Sequence, residues 1–525
     1  MPRNILFIMC DQLRQDYLSC YGHLKLNTPH IDSLAARGVR FSNAYCQAAL
    51  CGPSRASFYT GRYMSSHGVM ANEDATRLDE LTIADYLRPL GYRSALVGKA
   101  DNRKSPAAMQ ALGIDLESEF ARAAGCGGFE PFEHHEGLYP DGSVPAQHGY
   151  TEYLRDLGYR GENPWQDYAN SGEDSDGNIR SGWQLRNAVY PARVAEPHSE
   201  TVFITDRAIE FLDQHDPAQP WCLHLSYIKP HWPLIAPAPY HDMYAAADIQ
   251  AVVRSDNECD NPHPVYQAFM QQEYSESYAR DEVRDSVIPV YMGLIKQIDD
   301  QLGRLFGYLR EKDLLEQTMI VFTSDHGDYL GDHWLGEKDL LHEAAVKIPF
   351  ILVDPDKAAD DTRGTLCSEL VEAIDLLPTF IEYAGGEICR ERIEGRSLMP
   401  LLQSASAPVD WRKFAVSEID FSSRGPRSLL GLGPYQCRAV MIRDARWKFI
   451  YYDQFPAQLF DLDNDPLELI DLGRNSDYEQ VCATMRQRVF IWQRQLKQRT
   501  GMAFDKIEGM GPERNEADGY IIGRW

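Results

Sequence analysis

Three things are scarce or missing in this 525-residue chain, and each removes a class of function. No run approaches the roughly 18 consecutive apolar residues that a membrane-crossing helix needs, so no membrane partner is expected. Basic residues are few: 52 Lys and Arg stand against 78 Asp and Glu, a net charge of −26. That balance argues against nucleic acid and anionic membranes, which both require basic surface. It leaves a small anionic substrate open, because surface charge is screened within about 8–10 Å and cations inside a pocket still capture it. Paired cysteines are the third absence. The eleven cysteines are odd in number and contain no CxxC. Free thiols in a reducing compartment are expected, not a disulfide framework or a structural zinc site. Residues 5–9 form a strand-like run too short for a secretory apolar region, with no cleavage site behind it. The expected location is cytoplasmic.

What the chain does contain is an alternation of short β-rich runs and helical patterns. That is the signal of a large, mostly parallel sheet sandwiched by helices, an α/β class. Strands are predicted at 5–9, 94–97, 221–226, 319–323 and 350–353. One helix is predicted from Pro29 to Arg37, ended by Gly38, and a longer one over 289–310, whose apolar residues recur every three or four positions. Residues 102–200 lack periodicity and read as an excursion over the sheet edge. A small-residue and proline break at 403–408 separates a catalytic unit, 1–408, from a C-terminal α+β unit, 409–525. In the latter, 437–443, 447–452 and 459–462 read as strands and 478–496 as a helix.

Chemistry-bearing residues follow the strands directly, where open α/β sheets place their sites. Asp11 and Gln12 end the first strand, Lys99 the second, His231 the third, and Asp325 with His326 the fourth. Oxygen donors on neighbouring strand ends suit a hard or borderline divalent cation, Ca²⁺, Mg²⁺ or Mn²⁺, and the imidazole keeps Mn²⁺ or Zn²⁺ in play. For Asp325 alone, a helix N-cap is the plain alternative.

The sharpest motif is Cys51-Gly52-Pro53-Ser54-Arg55, running on to Gly61-Arg62. A cysteine, a proline two places on and an arginine four places on form the core that a formylglycine-generating enzyme oxidises. The plain alternative is a small buried cysteine at a helix start, with Pro53 in the first turn. The run resembles the signature of the type I sulfatases and phosphonate monoester hydrolases of the alkaline phosphatase superfamily, with Tyr59 where that family usually has leucine. The resemblance covers nearly the whole chain and implies that superfamily's fold, including a C-terminal subdomain of four antiparallel strands and a helix.

The resemblance also implies a chemistry. Cys51, converted to formylglycine, hydrates against one divalent metal ion held with Asp11, Gln12, Asp325 and His326. One hydroxyl attacks sulfur or phosphorus and the second collapses the ester. Arg55 orients the diol, Lys99 bridges it to substrate, His231 protonates the leaving oxygen, and Lys338 binds the substrate oxyanion. A surface salt bridge for Arg55 and an exposed histidine for His231 are the alternatives. The family usually has a histidine two residues after the lysine. Here Asp101 stands there, so either Asp101 or His67 is expected to supply the base. Asn72 aligns with a substrate-contacting asparagine of the phosphonate branch, a turn-forming asparagine being the alternative.

The expected substrate is a small anionic ester, foremost an aryl sulfate, with phosphonate monoesters and phosphodiesters taken promiscuously. A primary phosphonate monoester hydrolase or phosphodiesterase is the close alternative. A Ser/Thr phosphatase relative lacks its second metal-ligand set here, and a non-catalytic anion-binding scaffold would not retain so many catalytic residue types. Residues 429–433 and the tail around 511–513 resemble the phosphonate group, whose tails cross subunit contacts, so a homodimer or homotetramer is expected. The generating enzyme is the one transient protein partner expected.

Overall fold

The computed structural model describes residues 4–137, 148–498 and 501–508. Its strands are β1 Asn4–Asp11, β2 Val39–Tyr45, β3 Arg93–Gly98, β4 Glu130–His134, the short hairpin β5 Ser171–Glu173 and β6 Ile179–Ser181, β7 Trp221–Pro230, β8 Thr318–Ser324, β9 Phe350–Val353, β10 Thr365–Glu372, and β11 Ala415–Asp420, β12 Arg438–Arg443, β13 Trp447–Tyr452 and β14 Gln458–Asp461. The helices that matter here are α1 Pro29–Arg37, α2 Cys51–Thr60, α3 Glu200–Gln214, α4 Asp281–Glu311 and α5 Glu479–Gln495.

Eight strands form one sheet in the order β10-β2-β9-β8-β1-β7-β3-β4. Every neighbouring pair is parallel except the two made by β9. Both faces of β1 are covered. Ile5, Phe7 and Met9 enter one apolar core, and Leu6, Ile8 and Cys10 enter the other, which contains α1, α3 and α4 residues. A strand buried on both faces must be apolar at every position, which is why 5–9 reads as an unbroken run.

Register brings the strand ends together. Cys10 of β1 lies opposite Ser324 of β8 and Tyr227 of β7. Asp11 and Asp325 therefore leave the sheet side by side. Gly98 pairs with Ser226, so Lys99 emerges one strand further along. That glycine is required: at φ +109° a Cβ would sit 1.9 Å from the Ser226 carbonyl oxygen.

The second sheet, β11-β12-β13-β14, is wholly antiparallel. Its outer face packs Val416, Ile442, Phe449 and Leu459 against Met485, Val489 and Trp492 of α5. Its β11 strand touches the large sheet, where Glu418 N–H donates to the Gln47 carbonyl at 2.8 Å.

Some expectations are corrected. The long helix begins at Asp281, two turns before Pro289, which lies inside it. Burial of Arg284, Val287 and Ile288 holds those turns, so packing outweighs the missing proline N–H. The stretch 102–200 contributes a strand, β4, that lengthens the sheet edge. β2 and β10 were not located, because Ser42 and Asn43, and Ser368 and Glu369, interrupt their apolar positions; β11 is the fourth small-sheet strand that the resemblance implied without placing. The proposed subunit-crossing tail beyond residue 508 lies outside the described residues.

Candidate active site

Asp11 ends β1 and Asp325 follows β8, and both are fully buried. The Gln12 backbone N–H donates to Asp325 Oδ1 at 3.0 Å, locking the two strand ends. His326 donates from Nδ1 to the Gly327 carbonyl at 2.9 Å, which leaves its Nε2 lone pair facing inward. Burial holds this imidazole below its ordinary pKa, so it is a neutral ligand group. Cys51, at the first position of α2, brings Sγ to 3.1 Å from His326 Nε2 and 3.6 Å from Asp11 Oδ1. Burial, reinforced by Asp11, pushes the thiol well up.

One donor atom from each of Asp11, Cys51, Asp325 and His326 lies within 4.8 Å of all the others. Two carboxylates, an imidazole and the side chain at position 51, all buried, fit a divalent cation. Beside them Arg55 Nη2 is buried without a hydrogen-bond partner, 3.5 Å from Asp11 Oδ2, a donor suited to an anionic oxygen and not to the cation itself.

Arg55 is wholly buried, so it is no surface salt bridge. Its Nε donates to Asp325 Oδ2 at 2.9 Å, and Nη1 donates to the Lys99 carbonyl and Ser226 Oγ, both at 2.8 Å. Lys99 Nζ donates to Asp11 Oδ2 at 2.6 Å and lies 3.5 Å from Asp101. Burial alone would push Asp11 up. The surrounding cations, Lys99 foremost, reverse this and hold it well below its usual range.

On the opposite wall, Lys338 Nζ donates to His231 Nε2 at 3.1 Å, and His231 Nδ1–H donates to the Trp232 carbonyl at 2.7 Å. Burial and the Lys338 charge keep His231 neutral. As arranged, the transferable proton sits on Lys338, one hydrogen bond behind the imidazole. His231 itself is only 2% exposed, not a loop histidine in solvent.

Gln12 departs from the expected ligand role. Its amide oxygen accepts from Lys338 Nζ at 2.6 Å, and its amide nitrogen faces Asp328 and Glu337. His67 stands apart from the cluster. Its Nδ1 accepts from the Val69 N–H at 3.1 Å and its Nε2 pairs with Ser57 Oγ at 2.9 Å. With both nitrogens committed and burial lowering its pKa to about 3, it is a pin behind α2, not the expected base.

Asn72 accepts the Gly52 N–H at 2.9 Å, and Pro53 has none to give. Ser54 N–H already donates to the Leu50 carbonyl. The N–H donors of Gly52 and Ser54 at the start of α2 are thus already spoken for.

Two carboxylates escaped the sequence reading. Asp328, three residues past Asp325, is raised to about 7 by burial and by Glu337. Glu136 accepts the N–H groups of Ala100 at 3.2 Å and Asp101 at 3.1 Å. The rule that located Lys99 and His231, a polar residue just past a strand end, would have flagged Glu136 had β4 been recognised.

Buried donors that could hold a cation, with the ammonium groups of Lys99 and Lys338 near them, suit a substrate whose reacting centre is a charged tetrahedron, and the fold is that of the alkaline phosphatase superfamily. Within that class the chain belongs to the sulfatase family. The Sulfatase family model matches residues 3–386, and that for the N-sulphoglucosamine sulphohydrolase C-terminal region matches residues 331–495. The multifunctional alkaline phosphatase superfamily protein PehA of Trinickia caryophylli is 32% identical, covering 95% of this chain and 96% of its own. An arylsulfatase of Clostridium perfringens is 28% identical over 93% of each. The phosphonate monoester hydrolase SpPMH of Silicibacter pomeroyi superposes with a TM-score of 0.82 at 30% identity, covering 95% of this chain and 96% of that one. The chain is a hydrolase of sulfate or phosphonate esters.

Proposed function

We propose that the protein hydrolyses singly charged sulfate monoesters, aryl sulfates first, and takes phosphonate monoesters and phosphodiesters in the same pocket. The observation that carries this is the placement of Cys51 against Asp11, Asp325 and His326, with Lys99 and Lys338 over it. Oxidation of Cys51 to an aldehyde supplies, on hydration, a nucleophile that encoded side chains lack. A divalent cation on Asp11, Asp325, His326 and position 51 supplies Lewis acidity. The mixed carboxylate and imidazole donors favour Mn²⁺ over Ca²⁺.

The chain's own residues do the rest. Lys99 and Lys338 bind the non-bridging oxygens of the tetrahedral centre and stabilise their negative charge as the centre passes through the transition state. Arg55 fixes Asp325 and keeps one free donor for an oxygen at position 51. His231 takes a proton from Lys338, its hydrogen-bonded neighbour, on Nε2 and passes that proton to the departing alcohol oxygen. Asp101, within reach of Lys99, is the acceptor for the proton lost when the covalent ester is released. Gln12 joins the cation site only by turning its amide oxygen away from Lys338.

Resemblance to SpPMH and PehA supports a second reading, with phosphonate monoesters or phosphodiesters as the better substrates. Lys99 supports the sulfate reading, because the resemblance to the sulfatases implies a lysine there that bridges the nucleophile and the substrate. The test is kcat/KM for an aryl sulfate, a phenyl phosphonate ester and a phosphodiester on one preparation. Highest kcat/KM on the sulfate is expected. A sulfate value a hundredfold below either phosphorus ester would reverse the order.

A further inference from the structure

The turn that carries Lys99 and Asp101 is held from outside the site. β3 ends at Gly98, and within three residues the chain must deliver Lys99 Nζ to Asp11 and the Asp101 carboxylate to within 3.5 Å of that ammonium. Asp101 does this at a positive φ of 42°, a region uncommon for non-glycine residues and tolerated best by aspartate and asparagine. Arg55 Nη1 and the Tyr59 hydroxyl donate to the Lys99 and Ala100 carbonyls of the turn at 2.8 and 3.2 Å, and one further group takes its N–H donors. Glu136, two residues past β4, takes the Ala100 N–H at 3.2 Å and the Asp101 N–H on both carboxylate oxygens at 3.1 Å. Successive N–H groups converging in this way form a concave anion site, here filled by a side chain. Behind it, His134 Nε2 lies 2.5 Å from Glu136 Oε1. The edge strand makes this arrangement reproducible, because His134 pairs in register with Gly98.

We propose that Glu136 is a positioning residue for ester hydrolysis: its carboxylate fixes the 99–101 turn so that Lys99 and Asp101 face position 51 together. Two features support an electrostatic share in that role. His134 overrides burial and holds Glu136 at about 2, so it is ionised wherever the enzyme works. Its charge then adds to burial in raising the proton affinity of Asp101, which improves an acceptor. The proposal rests on the reading of Lys99 and Asp101 given above, and its test is separable from that reading.

Glu136→Ala empties a site that two backbone donors line, and a small anion can refill it. In the full-length protein, kcat for an aryl sulfate should fall about 10- to 100-fold while KM changes less than about threefold. Formate at tens of millimolar should restore part of the loss in the variant and leave the parent enzyme unchanged. If Glu136→Ala does not fold, Glu136→Gln carries the test: it keeps one acceptor and loses the charge, so kcat should fall by a smaller factor at an unchanged thermal midpoint. Unchanged kcat in whichever variant folds overturns the proposal. So does a loss in Glu136→Ala that formate leaves untouched and that tracks a fall in thermal midpoint. Asp101→Asn separates the two readings: full turnover there removes Asp101 as the acceptor, while a formate-rescued Glu136→Ala still assigns Glu136 its hold on Lys99.

Discussion

At the end of the large sheet, Asp11 and Asp325 lie against Arg55 and Lys99. At the seam with the small sheet, Glu372 and Asp375 share Arg412, while Glu394 and Glu418 take hydrogen bonds from the 63–66 segment. Both places bury several carboxylates, and the supply of cations separates their behaviour. In the site, cations drive Asp11 well below its ordinary range, so it stays charged. In the seam, burial wins. Glu372 rises to about 7, aided by Asp375, and Glu418 rises to about 7. Glu418 is satisfied by the Ser65 N–H at 3.0 Å and the Ser65 hydroxyl. Charged carboxylates hold a cation, and protonated ones act as hydrogen-bonded mortar.

The strongest way to sharpen that contrast is Cys51→Ala, which removes the nucleophile and leaves the seam alone. Turnover should drop by at least about 10⁴-fold with an unchanged unfolding midpoint; steady-state kinetics and thermal denaturation check both halves. Arg412→Ala should do the converse, since it leaves buried carboxylates without their cation. Stability should fall by about 3–5 kcal/mol in chemical denaturation, with KM for the surviving folded enzyme unaltered.

Lys338→Ala removes an ammonium from the substrate oxyanion and from His231. It should cost about 10²–10³ in kcat/KM. A loss below tenfold would move the proton donor elsewhere. The smallest effect belongs to Glu418. Its folded pKa is raised from the ordinary 4.5 to about 7, so its contribution is full below pH 4.5 and is lost as pH rises through 7. Glu418→Gln stays neutral. The variant should gain on the order of 2–3 kcal/mol relative to the parent at pH 8 and lose that advantage at pH 5, in denaturant titrations at the two pH values.

The same contrast explains how much could be read in advance. Asp11, Lys99, His231 and Asp325 were legible because each follows a recognisable apolar strand, and a parallel sheet delivers such residues to one edge. Cys51 and Arg55 were legible as a motif. The seam was not, because its acids come from β10, the 373–394 stretch and β11, and no spacing in the chain announces that they meet. Glu136 was hidden by an edge strand whose sequence, Glu-Pro-Phe-Glu-His, is half polar. His67 shows the reverse error: a histidine near the motif in sequence turned out to brace Ser57 from behind.

The account depends most on what position 51 becomes. Digestion of fully active enzyme and intact-mass measurement of the peptide spanning residue 51 decides it. The aldehyde form should weigh about 18 Da less than the thiol form and account for the active fraction. A wholly unmodified thiol in material of full activity would contradict the mechanism.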